Sequence, residues 1–273
     1  MTTEVAGGAD TRARIDVIGP TSDPARHGVA IEGSPRRVRA TFNNEVVADS
    51  RRVTLLHETG HLPVYYFPLD DVRRDLLAPT THSTHCPYKG DAHYWDVRVG
   101  DRTAENAAWN YPAPISGCPD IHDLVAFYWD RMDAWFEEDE EVFKHPRDPY
   151  HRIDVLESSR RVEVWSNGVK VADTRRPRLL FETSLPTRYY IPKLDARMDL
   201  LRPSSSHSVC PYKGTASYWS LAIGDTVAED LVWGYPTPLP EALKVTNLLC
   251  FYNEKVDLVV DEERQERPVT PWS

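Results

Sequence analysis

The chain contains the same segment twice. A shift of 124 positions aligns residues 37–136 with residues 161–260 without a gap, and 41 of the 100 aligned pairs are identical. Unrelated segments would share about six identities in a hundred pairs, so the chain is an internal duplication. The longest common block, Cys-Pro-Tyr-Lys-Gly, occupies residues 86–90 and 210–214. Each copy must therefore build the same domain from its own residues.

The duplication predicts two domains rather than one. We place the first at residues 1–142 and the second at residues 143–273, joined by a proline-containing linker near 142–150. A duplicated chain often imitates a homodimer of single-domain relatives. We therefore expect pseudo-twofold symmetry between the two domains, and a monomer in solution.

Upstream of the aligned block the copies differ in length. Residues 14–17 resemble residues 152–155, but 14 more residues separate them from the aligned block in the first copy. This spacing predicts an N-terminal extension and a loop insertion rich in Pro, Ser and Gly, running from Gly19 to Ser34.

Composition narrows the class of protein. With 32 basic and 42 acidic residues the formal charge is −10, which argues against non-specific nucleic-acid binding. There is neither a long apolar run for a membrane span nor an apolar leader segment. Four cysteines without a Cys-x-x-Cys pair indicate neither a disulfide framework nor a zinc ribbon. We expect a soluble cytoplasmic protein with a small-molecule ligand, no nucleic-acid or membrane partner and no cofactor.

Each copy has the pattern of short strands separated by turns. Residues 162–165 alternate in polarity, and Asn167-Gly168 is a strong two-residue hairpin turn. Asn43-Asn44 takes the corresponding place in the first copy, where asparagine tolerates positive φ. Further strands are predicted at 179–183, 189–191 and 217–223, around Trp233, and as a pair within 248–260. The fold class predicted is mainly β, with a compact antiparallel sheet or open barrel in each copy.

A series of short motifs recurs in the same order in both copies. In the first copy these are Val-Ala-Asp at 47–49, Glu-Thr at 58–59, Tyr-Tyr-x-Pro at 65–68, Cys-Pro-Tyr-Lys-Gly-x-Ala-x-Tyr at 86–94, Trp-x-Tyr-Pro at 109–112 and Ala-Phe-Tyr at 126–128, which reads Cys-Phe-Tyr at 250–252 in the second copy. In this order they resemble the domain-of-unknown-function family 427. The resemblance implies two homologous Mss4-like, β-tent antiparallel sheet domains, and it implies no activity. A nucleotidyltransferase label attached to the family finds no support, because no Gly-Ser is followed by an Asp-x-Asp pair.

The repeated block brings a thiol and an ammonium group close together in sequence. Cys86 and Lys89 lie three residues apart, and a neighbouring cation lowers the pKa of a thiol. Glu58, at a predicted strand end, and Tyr94 would complete an acid–base set. The equivalent candidate catalytic residues of the second copy are Cys210, Lys213, Glu182 and Tyr218.

A structural interpretation of the same block stays open. The cysteine would then pack as a small apolar side chain, the proline would fix a turn, the lysine would cover a tyrosine ring and the glycine would permit positive φ. Duplication preserves both fold and site residues, so identity between the copies does not separate the two interpretations.

Aromatic side chains form the second group of candidates. Alternation along a strand sends one ring of each Tyr-Tyr or Tyr-Trp pair to each face of the sheet, so most rings should lie in the core. A minority would line a pocket with a few polar groups. The predicted ligand-binding residues are Tyr66, Tyr88, Gly90, Trp109, Tyr190, Tyr212, Gly214 and Trp233.

The histidines concentrate in the first copy. His82-x-x-His85-Cys86 has a spacing found in metal sites. The corresponding positions of the second copy are Ser206 and Val209, so we predict no metal site.

The sequence is consistent with two kinds of function. We favour a small-molecule enzyme with the Cys, Lys, Glu and Tyr residues around a cavity in each copy. The alternative is a non-catalytic module that binds a metabolite in an aromatic pocket or serves in assembly.

Overall fold

The computed structural model describes residues 27–273, which divide into two compact units with the boundary after Met132. The match at residues 14–17 and the first part of the predicted insertion lie outside the described residues. The described chain is mainly β, with two similar halves that correspond to the two copies.

The first unit is built around a seven-stranded antiparallel sheet. Its strands are β1 (Val29–Gly33), β2 (Val38–Phe42), β3 (Glu45–Ser50), β4 (Thr54–Glu58), β5 (Val64–Pro68), β6 (Leu77–Cys86), β7 (Gly90–Val99), β8 (Arg102–Asn110) and β9 (Leu124–Phe127). The order in the sheet is β1-β4-β5-β9-β8-β7-β6, and β2 and β3 pair with each other outside this sheet.

The second unit opens with a small hairpin and then repeats this topology. Its strands are β10 (Ala134–Glu137), β11 (Glu140–Val142), β12 (Ile153–Glu157), β13 (Val162–Ser166), β14 (Val169–Thr174), β15 (Arg178–Glu182), β16 (Arg188–Ile191), β17 (Leu201–Cys210), β18 (Gly214–Ile223), β19 (Thr226–Gly234), β20 (Leu249–Phe251), β21 (Asp257–Val260) and β22 (Glu263–Arg264). The large sheet has the order β12-β15-β16-β20-β19-β18-β17, and the small sheet has the order β14-β13-β21-β22.

Helical structure is confined to single short turns. Within the described residues, 3-10 helices occupy Leu69–Asp71, Arg74–Leu76, Trp129–Arg131, Lys193–Asp195, Met198–Leu200 and Pro240–Val245. No helix in this part of the chain has the length and apolar character needed to cross a bilayer.

The core of the second unit joins its two sheets. Val162 and Val164 of β13 pack in one apolar cluster with Ile191 of the large sheet. Tyr190, the neighbour of Ile191, instead joins a second cluster with Trp233 on the opposite face. Successive side chains of a strand point to opposite faces, so one face of the large sheet meets the small sheet and the other is left for a site.

Most of the predicted β pattern is confirmed. Asn43, Asn44, Asn167 and Gly168 all have positive φ at the tips of the β2–β3 and β13–β14 hairpins. The ambiguous stretch 248–260 contains the two short strands β20 and β21. Turn chemistry was informative here because only certain residues tolerate the left-handed conformation.

The predicted loop insertion is wrong at its C-terminal end. Val29–Gly33 forms β1 and pairs with β4, as β12 pairs with β15, and the two pairings are related by the same shift of 124 residues. The copies therefore correspond without a gap from β1 onward, and the resemblance of residues 14–17 to residues 152–155 misplaced the first strand.

Two long strands were not predicted. Leu77–Cys86 and Leu201–Cys210 are rich in Ser, Thr and Pro, a composition typical of loops. Both are edge strands, and their pairing is interrupted after Pro79 and Pro203. An edge strand tolerates proline because its outer N–H groups need no partner strand.

The large sheet of each unit curls so that its two edges approach each other. In the first unit, β4 and β7 are separated by three other strands, which in a flat sheet would place them about 19 Å apart. Lys89, in the β6–β7 turn, nevertheless hydrogen-bonds to Glu58 at the end of β4. The curled sheet therefore encloses a space on its concave face.

The β6–β7 turn depends on a glycine. Gly90 has φ +105°, and a Cβ there would lie 3.2 Å from the carbonyl oxygen of Ala113. We expect Gly90→Ala to lower the free energy of unfolding by about 1–3 kcal/mol, because it combines backbone strain with a close contact. Gly33→Ala is the control, since its Cβ would meet nothing within 4 Å. Equal urea midpoints for both variants would contradict this interpretation.

Candidate functional site

A buried cluster of three polar side chains lies on the concave face of the first sheet. Glu58 Oε2 accepts a hydrogen bond from Lys89 Nζ, and Glu58 Oε1 lies 3.1 Å from His27 Nε2. The side chains of Glu58 and Lys89 are only 11% and 8% exposed. The carboxylate therefore links the start of the described chain, the end of β4 and the β6–β7 turn.

The second unit contains the same cluster. Glu182 Oε2 accepts a hydrogen bond from Lys213 Nζ, and Glu182 Oε1 lies 2.9 Å from His151 Nε2. The Glu182 side chain is 5% exposed, so this pair is as well buried as the first.

The ring of a tyrosine from the repeated block stacks on each histidine. The rings of His27 and Tyr88 are stacked with their centroids 3.6 Å apart, and those of His151 and Tyr212 are 4.1 Å apart. The Tyr212 hydroxyl also accepts a hydrogen bond from the backbone N–H of Asp148. Tyr88 and Tyr212 therefore hold the histidine that meets the carboxylate.

Aromatic rings form the walls of a cavity over each cluster. Trp109 Nε1 donates a hydrogen bond of 3.2 Å to the Tyr66 hydroxyl, and Tyr128 packs on Trp109 at 4.5 Å between centroids. Trp233 and Tyr190 repeat the hydrogen bond at 3.3 Å. The cavity volumes are about 640 Å³ in the first unit and about 300 Å³ in the second.

Strand alternation explains why these residues meet. Leu56 and Glu58 are two apart on β4, and Val64 and Tyr66 are two apart on β5, so each pair projects to the same face. All four line the cavity. The register of the sheet therefore assembles the site from residues far apart in sequence.

The two glutamates are ionised in the folded protein. Burial alone raises the pKa of Glu58, but the hydrogen bonds from Lys89 and His27 hold the pKa below its usual range. Burial likewise raises the pKa of Glu182, but the hydrogen bonds from His151 and Lys213 hold it below its usual range. Each cavity therefore contains a charged carboxylate paired with an ammonium group.

The buried phenols stay neutral at physiological pH. Burial raises the pKa of Tyr66 well above its usual range and that of Tyr212 to about 12. Tyr94 and Tyr218 hydrogen-bond to Thr84 and Ser208 on the edge strand, at 2.8 and 2.7 Å.

The cysteines differ in their access to the site. Cys210 lines the second cavity together with Lys213 and Glu182. Cys86 is half-buried and packs against the aromatic cluster of the first unit. All four cysteines are free thiols. The lysine three residues after each of Cys86 and Cys210 directs its ammonium group to a carboxylate.

Most of the predicted site residues come together, but in different roles. Glu58, Lys89, Tyr66, Tyr94 and Trp109 line the first cavity, and their equivalents line the second. Four predicted ligand-binding residues are not part of the cavity linings and lie instead in or beside the turns that carry the lysines: Tyr88, Tyr212, Gly90 and Gly214.

His27 and His151 were not among the predicted site residues. They are 124 residues apart and identical, so a gap-free extension of the repeat alignment would have paired them. Tyr111 and Tyr128 in the first cavity and Arg188 in the second were not predicted either. Arg188 has no counterpart in the first copy, where Val64 stands, and only the structure reveals it.

The histidines of the first copy are used in separate contacts. His82 packs against the ring of Tyr94, and His85 Nδ1 lies 2.6 Å from Asp91. Among residues 27–273, no three His, Cys, Asp or Glu side chains are grouped closely enough to hold a metal ion.

Fold and site together define a tandem all-β protein with one aromatic, charge-bearing cavity in each repeat. The chain belongs to the domain-of-unknown-function family 427, whose model matches residues 30–138 and again residues 154–262. The second match begins and ends 124 residues after the first, which is also the offset between β1 and β12. A search of curated proteins found no match. The Mss4-like β-tent label stays an expectation from the resemblance.

The buried pair makes stability depend on pH in a defined direction. Folding lowers the pKa of Glu182, so its stabilising contribution is present above the unfolded value of about 4.3 and is lost as pH falls through the folded value. We expect Glu182→Gln to lower the free energy of unfolding by about 3 kcal/mol at pH 7, because Lys213 is left without its counter-charge. The deficit should shrink below pH 4.

Glu157→Gln is the matched control for this measurement. Glu157 pairs with Arg178 at 2.9 Å, but its side chain is 71% exposed. Its replacement should change the free energy of unfolding by about 0.5 kcal/mol or less. Urea unfolding of both variants at pH 7 and pH 4 provides the comparison, and a Glu182→Gln deficit that grows in acid would refute the assignment.

Proposed function

We propose that each repeat binds a small organic molecule in its aromatic cavity, with the lysine and glutamate at the cavity floor holding its polar group. The observation that carries this proposal is the ionised, buried Lys–Glu pair lining an open cavity in both units.

Stability alone is a weak reason to keep this pair. Taking two charges out of water costs free energy that their attraction only partly repays, and apolar residues of similar size often serve a fold as well. The second pair lies beside about 300 Å³ of cavity rather than in packed core. A pair that faces a cavity is placed to meet a ligand.

The lining indicates the shape and polarity of that ligand. Trp109 and the rings of Tyr66 and Tyr128 offer flat apolar surfaces, which favour stacking with a planar molecule. At the floor, Lys89 donates hydrogen bonds and the Glu58 carboxylate accepts them. A planar molecule with an acceptor and a donor side by side, such as a primary amide, satisfies both.

The same electrostatics favour binding over catalysis. A general base works best with a pKa near the operating pH, and the pKa of Glu58 and Glu182 is held below the usual range of a carboxyl group. Each lysine donates a hydrogen bond to this carboxylate. The pair is therefore suited to holding a polar group.

Replacement of the lysines tests the binding function. Benzamide offers a carbonyl acceptor and an amino donor, whereas N,N-dimethylbenzamide lacks the donor. We expect Lys89→Met with Lys213→Met to weaken benzamide binding at least about tenfold, because each charge-assisted hydrogen bond is lost. Saturation-transfer NMR titration provides the affinities.

The controls distinguish the cavities from non-specific binding. Lys144→Met changes an exposed lysine outside both cavity linings and should leave benzamide binding unchanged. The wild-type protein should bind the dimethyl analogue more weakly. Unaltered benzamide affinity in the double lysine variant would remove the proposed function.

A thiol-dependent enzyme is a second candidate, favoured by the position of Cys210. Its side chain lines the second cavity together with Lys213 and Glu182, so a thiolate there would face a bound molecule. Catalysis would then involve the thiol, with the Lys–Glu pair orienting the substrate.

Alkylation measures whether this thiol is activated. Under the enzyme proposal Cys210 should react rapidly with iodoacetamide near pH 7. Cys250 is the internal control, because it is fully buried and burial raises the pKa of its thiol to about 12. Mass spectrometry of digested protein separates the two sites. Labelling of Cys210 no faster than that of Cys250 would remove the thiolate mechanism.

A further inference from the structure

The two cavities differ most at one position. Arg188 of β16 lines the second cavity, whereas the first has Val64 at the equivalent place. We infer that the second cavity is a carboxylate-binding site, in which Arg188 recognises the acidic group of a planar organic acid. The inference rests on the proposed ligand-binding function and names its substrate class in one repeat.

Arg188 is held in a fixed orientation. Its Nη1 and Nη2 each donate a hydrogen bond of 2.7 Å to the Glu254 carboxylate, and its side chain is only 6% exposed. A guanidinium group has five N–H donors, so the Nε–H and the second N–H of each Nη remain beyond the two directed to Glu254. The Nε–H and one of these Nη N–H groups lie side by side on the planar guanidinium, a second fork that matches the geometry of a carboxylate.

Aromatic rings surround the guanidinium group. It lies over the rings of Trp233, Tyr252 and Trp272, at 5.4, 6.0 and 5.7 Å from their centroids. All three rings also line the cavity. A planar acid would therefore place its ring among aromatic surfaces while its carboxylate meets the cation.

The lining of the second cavity contains one cation more than that of the first. It includes Arg188 and Lys213 with the carboxylate of Glu182, whereas the first cavity presents one ammonium group and one carboxylate, together with His61. Glu254 is not part of the lining, but it offsets the charge of Arg188 at 2.7 Å. The second cavity therefore attracts an acid through the further N–H donors of the guanidinium group and not through a net positive charge.

The segment after the second repeat completes this cavity. The match to the family ends at residue 262, yet Trp272 lines the cavity. The segment is anchored by a hydrogen bond of 2.6 Å from Thr270 Oγ1 to Glu254 Oε1. Trp272 lines the cavity while remaining 41% exposed to solvent. The C-terminal residues thus form part of the acid-binding site.

The test compares an acid with its neutral isostere. Benzoate and benzamide differ only in the group that would meet Arg188. In a Lys89→Met background, which disables the first cavity, we expect benzoate to bind at least about tenfold more tightly than benzamide, because its hydrogen bonds to Arg188 are charge-assisted at both ends. Arg188→Val with Glu254→Gln should abolish this preference and leave benzamide affinity within about twofold.

The double variant avoids an unpaired buried carboxylate, and further variants guard against a folding defect. Arg188→Lys keeps a charge opposite Glu254 but lacks the fork, so it should give an intermediate benzoate affinity. Arg178→Val removes a cation of the neighbouring strand that is not part of the cavity lining and should change neither affinity. Trp272→Ala should weaken both probes.

The outcomes separate this inference from the function on which it rests. Equal affinity for both probes, or equal weakening of both in the double variant, would overturn acid recognition by Arg188 while leaving the cavity a binding site. Benzamide binding that is insensitive to Lys89→Met and Lys213→Met would instead refute the proposed function itself.

Discussion

The contact between the glutamate of β4 and the lysine of the β6–β7 turn sets the shape of each repeat. These residues belong to strands that are far apart in the order of the sheet, and a Lys–Glu hydrogen bond requires their ends to meet. The stacking of His27 on Tyr88 joins the residues just before the outermost strand, β1, to the same turn. A hydrogen bond and a ring stack therefore close the sheet around a cavity, and the glutamate and lysine that shape the domain also line its site.

Alternation along the strands then decides what fills the enclosed space. In β16, Ile191 packs into the core shared with the small sheet, whereas Tyr190 and Arg188 face the cavity. A period of two residues gives every strand of the large sheet one face of each kind. The curled sheet thus separates a dry core from a polar, ring-lined cavity without a separate domain for the site.

The features that could be predicted from the sequence are those governed by local chemistry. Asn167-Gly168 specified its hairpin because few residue pairs adopt positive φ in succession. The internal duplication predicted the two similar halves that the structure has. The strand at Leu201–Cys210 escaped prediction because its stability comes from pairing with β18 rather than from its own Ser-rich composition.

The composition of the site was predictable, but its pairings were not. The spacing of Cys86 and Lys89 predicted a thiol beside an ammonium group, yet the ammonium group donates to Glu58, which lies 31 residues earlier. Proximity in sequence is a poor guide in a curled sheet, where tertiary closure chooses the partner. His27 illustrates the same limit, since only its register relative to His151 marks it in the sequence.

Duplication followed by divergence explains why the two cavities share a floor and differ at one wall. The Lys–Glu–His cluster joins distant strands of the sheet, its lysine and glutamate line the cavity, and both copies retain it. The residue at position 188 is not needed to close the sheet, since the first repeat has Val64 at the equivalent position. A buried arginine is stable there only with a counter-charge, which Glu254 supplies. The hydrogen bond from Thr270 to Glu254 extends this arrangement into the C-terminal segment. The first repeat has an acidic residue, Asp130, at the position of Glu254, so the repeats differ in the cation and in the aromatic wall added by Trp272, while the closing contacts of the sheet are the same in both.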